Sequence, residues 1–135
     1  MEDRAAVEQA LRAFFAREHH SAVAAYLFGS VARGTPRPGS DVDIAVLYAG
    51  EPPASLAGLP LDLEAELERL LGAPVQVVVL NRAPVDLIHR VLRDGVLLVD
   101  RDPSTRIRFE VKARNEFFYL QPILARYRAG PAPRR

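Results

Sequence analysis

The sequence predicts an α+β chain, a mixed central β-sheet of about four strands with flanking helices. Three observations carry this. Four short apolar runs, at residues 23–28, 40–46, 75–80 and 96–99, have the length and composition of strands. Around them, apolar residues recur every three or four positions, the period of a helix buried on one side. Gly- and Pro-rich punctuation separates the two kinds of segment. A chain of 135 residues holds one core and not two. Residues 1–129 are therefore expected to form a single domain, and residues 130–135 a disordered basic tail.

From Glu2 to Arg17, Ala6, Val7, Ala10, Leu11, Phe14 and Phe15 form a helical stripe. His19 and His20 follow it. Adjacent residues point in different directions on a helix, so these two read as capping or solvated groups rather than a metal pair. Ser21 opens the first strand, whose body is Val23 to Phe28, and Gly29-Ser30 breaks it. Val31 to Gly34 is a short helix, ended by the loop Thr35-Pro36-Arg37-Pro38-Gly39. Ser40 to Val46 is the second strand. Glu51-Pro52-Pro53 and Gly58-Leu59-Pro60 mark a surface loop before a helix from Leu61 to Leu71, with Leu63, Leu67, Leu70 and Leu71 inward. Its acids Asp62, Glu64, Glu66 and Glu68 read as a solvated face near the positive end of the helix dipole.

Gly72-Ala73-Pro74 stops that helix. Val75 to Leu80 is almost continuously apolar, as expected of a strand in the middle of a covered sheet. Pro84 starts a further helix that runs to Arg93 and ends at Asp94-Gly95, with His89 as a structural residue. Val96 to Val99 is the fourth strand. A long helix then runs to Tyr127, with Ser104 as its expected cap and a kink at Pro122. Phe117, Leu120, Leu124 and Tyr127 share one face of it, while Phe118 and Tyr119 lie off that face. The helix either closes the core or also offers an aromatic surface to a partner.

Composition narrows the function. The apolar fraction of 49% and charged fraction of 26% are those of a soluble globular protein. A net charge of +1 leaves no strong nucleic-acid signal. Cysteine is absent, which excludes disulfide and thiol chemistry. The opening stretch is acidic and broken by charges, so neither a signal peptide nor a membrane span is expected, and the expected location is cytoplasmic.

The chemistry concentrates in residues 26–47, YLFGSVARGTPRPGSDVDIAVL. Strand side chains alternate, so Asp41 and Asp43 share one face about 7 Å apart, with Val42, Ile44 and Val46 on the other. Paired carboxylates repel unless a cation lies between them. Mg²⁺ takes one or two carboxylates and completes its shell with phosphate oxygens. Gly29 and Ser30, at a strand-to-helix turn, offer backbone N–H groups to phosphate. Arg33 either reaches those phosphates or clamps the loop.

Gly29-Ser30, ten residues, then Asp41-Val42-Asp43 resembles the signature of the DNA polymerase β-like nucleotidyltransferases. The string GSVARGTPRPGSDVDIAV is similar to the minimal, stand-alone MNT subgroup, and VVVLNRAPVDLIHRVLRDGVLLVDRD follows that subgroup's later pattern. The resemblance implies the polymerase-β-like fold, ATP as substrate and Mg²⁺ as cofactor, with Mn²⁺ as a substitute. It implies catalytic and metal-binding roles for Asp41 and Asp43. Gly29, Ser30, Arg33 and Ser40 would bind the nucleotide. It also implies a third carboxylate on the strand Val75 to Leu80, near Gln76 or Val79, where this chain has no acid.

Stand-alone MNT proteins resemble the antitoxins of two-gene toxin–antitoxin modules whose partner is a HEPN ribonuclease. The implied reaction is AMP transfer to a tyrosine of that toxin. Two other readings stay open: an antitoxin with a degenerate site that acts by contact, and a transferase for a small molecule or an RNA end. The chain has no room for a separate acceptor-binding domain, so the acceptor site is expected from a partner or from homo- or hetero-oligomerisation.

Overall fold

The structure, a computed structural model, describes residues 4–17, 22–34, 41–50 and 61–128. Ser40, Ser21, the His19-His20 pair, the loops at residues 35–39 and 51–60 and the tail at residues 130–135 lie outside the described residues. The elements follow in the order α1 (Arg4–Arg17), β1 (Ala22–Phe28), α2 (Gly29–Ala32), β2 (Val42–Tyr48), α3 (Leu61–Leu71), β3 (Val75–Val79), a 3₁₀ turn (Leu80–Arg82), α4 (Val85–Asp94), β4 (Val96–Asp100) and α5 (Pro103–Arg128).

The four strands form one mixed sheet in the order β3-β2-β1-β4. β1 is antiparallel to both β2 and β4, and β2 is parallel to β3. The mixed four-stranded sheet with flanking helices is thus as the sequence predicts. Each face has its own core. On one, Val7, Leu11, Phe14 and Phe15 of α1 and Leu63 and Leu67 of α3 pack on Ala25, Leu27, Val42, Ile44 and Val46. On the other, Ile88 and Val91 of α4 and Ala113 of α5 pack on Ala24, Tyr26, Phe28, Ala45 and Leu47. The alternation slips once in β1, where Val23 and Ala24 both turn to the α4–α5 side at a shift in register with β2.

Several local expectations are corrected. β3 is an edge strand, not a central one, because the two seven-residue strands β1 and β2 occupy the middle. Its open side is covered by α3: Glu68 Oε2 accepts from Val75 N–H (3.0 Å) and Glu64 Oε2 from Val77 N–H (2.8 Å). These two acids therefore satisfy an edge that would otherwise invite another strand, rather than only facing water. Leu70 is exposed and only Leu63 and Leu67 of α3 are fully inward.

At the start of α5 the cap is Asp102, not Ser104. Its carboxylate accepts from Thr105 N–H (3.1 Å) and Thr105 Oγ1 (2.7 Å). The inward face of α5 is Phe109, Ala113 and Phe117, the last stacked on His89 of α4 with ring centroids 3.6 Å apart. Leu120 and Tyr127 are exposed instead, with Ile107, Val111, Phe118, Tyr119 and Ile123. The helix outruns the sheet, so its last turns have no layer to bury them. No helix of the described residues is long and apolar enough to cross a membrane.

A polar cluster fixes α5 to the sheet. Buried Tyr26 donates to Glu110 Oε2 (2.6 Å), and Arg106 joins Glu110 (3.1 Å) to Asp100 of β4 (3.0 Å). Burial and the neighbouring Glu110 carboxylate push the Tyr26 phenol well above its usual range. Tyr26→Phe is expected to cost about 1.5 kcal/mol, since Glu110 keeps its arginines, and to lower Tm by roughly 3–7 °C. A phenol raised in the folded state contributes stability that is complete below the unfolded value of about 10 and is lost as pH climbs above it. Denaturation across that range should therefore show a shallower alkaline decline in the variant than in the parent. Tyr48, also raised by burial, keeps part of the decline in both.

Candidate active site

The end of β1 and the start of β2 meet because the two strands are antiparallel, with Phe28 paired to Asp43. The residue after Phe28 is Gly29, whose φ of 81° lies in the left-handed region that glycine adopts without strain. A Cβ on Gly29 would stand 2.2 Å from Asp43 Oδ2 and 3.1 Å from its Cγ. The turn thus needs glycine twice, for its backbone angle and for the carboxylate pressed against it.

Asp43 is half-buried and leads into a cavity of about 470 Å³. Phe28, Gly29, Ser30 and Arg33 line it from the turn, and Gln76 and Val78 from β3. Leu87, Arg90, Arg93 and Asp94 of α4 close the remaining side. Of the residues singled out in the sequence, Gly29, Ser30, Arg33 and Asp43 therefore come together. Asp41 lies exposed just ahead of β2, outside the cavity lining, and acts on Asp43 through its charge. Ser40 falls outside the described residues.

The electrostatics match this geometry. Burial, and then the charge of Asp41, push the Asp43 carboxyl above the usual carboxylate range. The guanidinium groups of Arg33 and Arg90 pull it back. Arg93 is engaged by Asp94 in a two-point ion pair at 2.8 and 2.9 Å. No salt bridge among the described residues holds Arg33 or Arg90.

The sequence reading missed the α4 contribution. Leu87, Arg90 and Asp94 follow i, i+3, i+7 spacing and so share a face, next to the Ile88–Val91 stripe that docks on the sheet. That spacing was visible. What it faced was not, since it depends on which side of the sheet α4 packs.

The parallel register of β2 with β3 places Gln76 directly opposite Asp43. Val79, the other position considered for a third acid, packs toward the α1–α3 core. Among the described residues no group of three His, Cys, Asp or Glu side chains gathers to hold a metal. Two carboxylates with phosphate oxygens suit one Mg²⁺ ion that arrives with a nucleotide. Asp94, the other carboxylate on the cavity, is paired with Arg93, so a second ion with its own free protein carboxylate does not fit this donor set.

A glycine turn, an aspartate-bearing strand and a cationic cavity meet on one rim of a mixed sheet, as in a domain of the polymerase β kind. The chain belongs to the polymerase β nucleotidyltransferase family, whose model matches residues 9–104. No curated protein matches its sequence. It is similar to the crystal structure of a toxin–antitoxin with AMP-PNP, at 27% identity over 90% of this chain and 94% of that one, TM-score 0.72. It is similar also to a mutant MntA–HpeT toxin–antitoxin, at 27% identity, 96% and 95% coverage and TM-score 0.69. It shares its fold with a chain in the structure of a tri-AMPylated Shewanella oneidensis HEPN toxin in complex with MNT antitoxin, at 24% identity, 93% and 94% coverage and TM-score 0.68.

Gly29→Ala is expected to strain the turn, destabilising the protein by about 1–3 kcal/mol, and to push the Asp43 side chain out toward water. Since burial is the main cause of the raised Asp43 value, an NMR titration should find it moved down toward an ordinary carboxylate in the variant. An unchanged Asp43 titration would show that the close contact does not control this side chain.

Proposed function

We propose that this chain is a nucleotidyltransferase that moves AMP from ATP to a protein hydroxyl, a tyrosine of a HEPN-type toxin, and so acts as the antitoxin of a pair. The observation that carries the reading is the junction of Gly29, Ser30, Arg33 and Asp43 around one cavity, in a chain of this family. The neighbour with AMP-PNP supports the nucleotide, and the toxin–antitoxin neighbours support the kind of partner. AMP as the transferred group draws on the resemblance to MNT antitoxins and on the fold shared with the AMPylated pair.

In this reading the acceptor hydroxyl attacks the α-phosphorus of ATP, and pyrophosphate leaves. The Gly29-Ser30 turn approaches the polyphosphate closely because Gly29 has no side chain. Arg33 faces its negative charge. Asp41 and Asp43 would hold Mg²⁺, which supplies positive charge to the phosphate oxygens when bound. Half-burial of Asp43 strengthens its hold on a cation relative to a carboxylate in open water. Ser40, one residue ahead of Asp41, is assigned to the nucleotide by the family resemblance.

The partner would meet the exposed side of α5, where Ile107, Val111, Tyr119 and Leu120 line one shallow groove, with exposed Ile123 one turn beyond Tyr119. Exposed apolar residues gathered in this way mark an interface. A second reading, neutralisation by contact alone, is favoured by that same surface together with Gln76 opposite Asp43.

Two measurements separate these readings. Labelled ATP with Mg²⁺ should label the toxin, and Asp41→Asn with Asp43→Asn should reduce labelling by about a thousandfold or more without changing the fold. Labelling that persists in this double variant would remove both aspartates from the reaction. If contact alone is the activity, the double variant still silences the toxin's ribonuclease. In either case Tyr119→Glu with Ile123→Glu is expected to weaken the complex by about tenfold or more, measured by calorimetry.

A further inference from the structure

The donor set at the site leaves one requirement open. Two-ion phosphoryl chemistry places one cation at the leaving oxygens and one at the attacking oxygen. Among the described residues Asp41 and Asp43 can serve one ion, the cavity's other carboxylate, Asp94, is paired with Arg93, and the position facing Asp43 across the sheet is the neutral amide of Gln76. The same cavity nevertheless contains a cation that no carboxylate of the described residues pairs with. Arg90 projects into it from α4, is exposed, pairs with no carboxylate in a salt bridge among the described residues, and lies near enough to Asp43 to act on its charge. Arg93, one turn further on, is spent on Asp94.

We propose that this site works with a single divalent ion, and that Arg90 beside Gln76 takes the place of the acceptor-side ion. The inference rests on the nucleotidyl-transfer reading above. Its physical basis is charge. A carboxylate with a bound divalent ion carries one net positive charge, and so does a neutral amide beside a guanidinium. The swap leaves the field on the attacking oxygen unchanged in sign and similar in size. A guanidinium also donates paired hydrogen bonds to phosphate oxygens, in a fixed fork and without loss of its proton.

The exchange has a consequence for the acceptor. A guanidinium lowers the pKa of a nearby hydroxyl less than a coordinated divalent ion does. A phenol, with a pKa near 10, needs far less help than an alkyl alcohol. In the step, the O–H bond of the acceptor phenol breaks and its proton passes to water. The phenolate oxygen bonds to the α-phosphorus, and the bond from that phosphorus to the bridging oxygen breaks. Pyrophosphate leaves with the electron pair. The site is therefore matched to tyrosine rather than to serine, threonine or ribose hydroxyls.

The test counts ions rather than turnover. With α,β-methylene-ATP, whose α–β bridge cannot be cleaved, Mn²⁺ bound per nucleotide is read by electron paramagnetic resonance. One Mn²⁺ is expected in the parent chain and two in Gln76→Asp, an exposed position where the change does not disturb the core. Two ions in the parent would overturn the inference while leaving nucleotidyl transfer standing. No uptake of the analogue at any Mn²⁺ concentration would overturn both. Separately, Arg90→Ala is expected to lower kcat with the toxin by about a hundredfold, with analogue affinity changed less than about threefold and partial rescue by Arg90→Lys. A variant that loses affinity and keeps kcat would make Arg90 a ground-state phosphate clamp and refute its assigned role.

Discussion

The antiparallel pairing of β1 with β2 is the constraint on which the site depends. It brings Phe28 opposite Asp43, and Gly29 follows at once in a conformation that turns the chain away while leaving no space for a Cβ. The pairing is secured from behind, where Leu27, Ile44 and Val46 are completely buried under α1 and α3. Burial of such side chains is worth about 1.5–3 kcal/mol each. The site residues contribute little to that total. They occupy strand ends whose positions the core has already fixed, so a half-buried carboxylate beside a second negative charge is tolerated.

Much of this was legible because short-range rules dominate at the relevant places. Alternation in residues 41–46 set Val42, Ile44 and Val46 toward a core, and these three are buried on the α1–α3 side while Ala45 and Leu47 pack on the other. The strand order was less legible. Val75 to Val79 is apolar enough for a central strand, and its edge position depends on Glu64 and Glu68 reaching across from α3. In sequence these acids are indistinguishable from a solvated face. The cap of α5 was misread for a related reason. Asp102, Ser104 and Thr105 can all cap, and the selection falls to Asp102 because its carboxylate reaches Thr105 by both backbone and hydroxyl.

Arg90 shows where the limit lies. Its helix was readable from the apolar stripe and from Pro84 and Gly95. The direction of its charged side followed only from packing: Ile88 and Val91 seat α4 on the Phe28–Ala45 side of the sheet, and the next face around the helix then overlooks Asp43. A tight turn at the end of α4 holds this setting. Gly95 N–H donates to the Val91 carbonyl (2.7 Å), and a Cβ on Gly95 would lie 2.4 Å from that oxygen.

The same helix joins the two halves of the proposed function. One side of α4 carries Arg90 over the cavity, and another stacks His89 on Phe117 of α5. The inward stripe of α5 is anchored through Glu110 to Tyr26 in the central strand, while its outer stripe stays open. A partner held on the outer side of α5 would therefore sit one helix away from the cation that faces the α-phosphate in the proposed step. Recognition on α5 can position an acceptor in this way. The partner brings its own hydroxyl, and α5 with α4 sets the distance over which it must reach. Binding and transfer would then share one rigid frame rather than a hinge. In that arrangement, loss of catalysis at the cavity would leave recognition intact, because the outer stripe of α5 and the cavity lie on different sides of the helix pair.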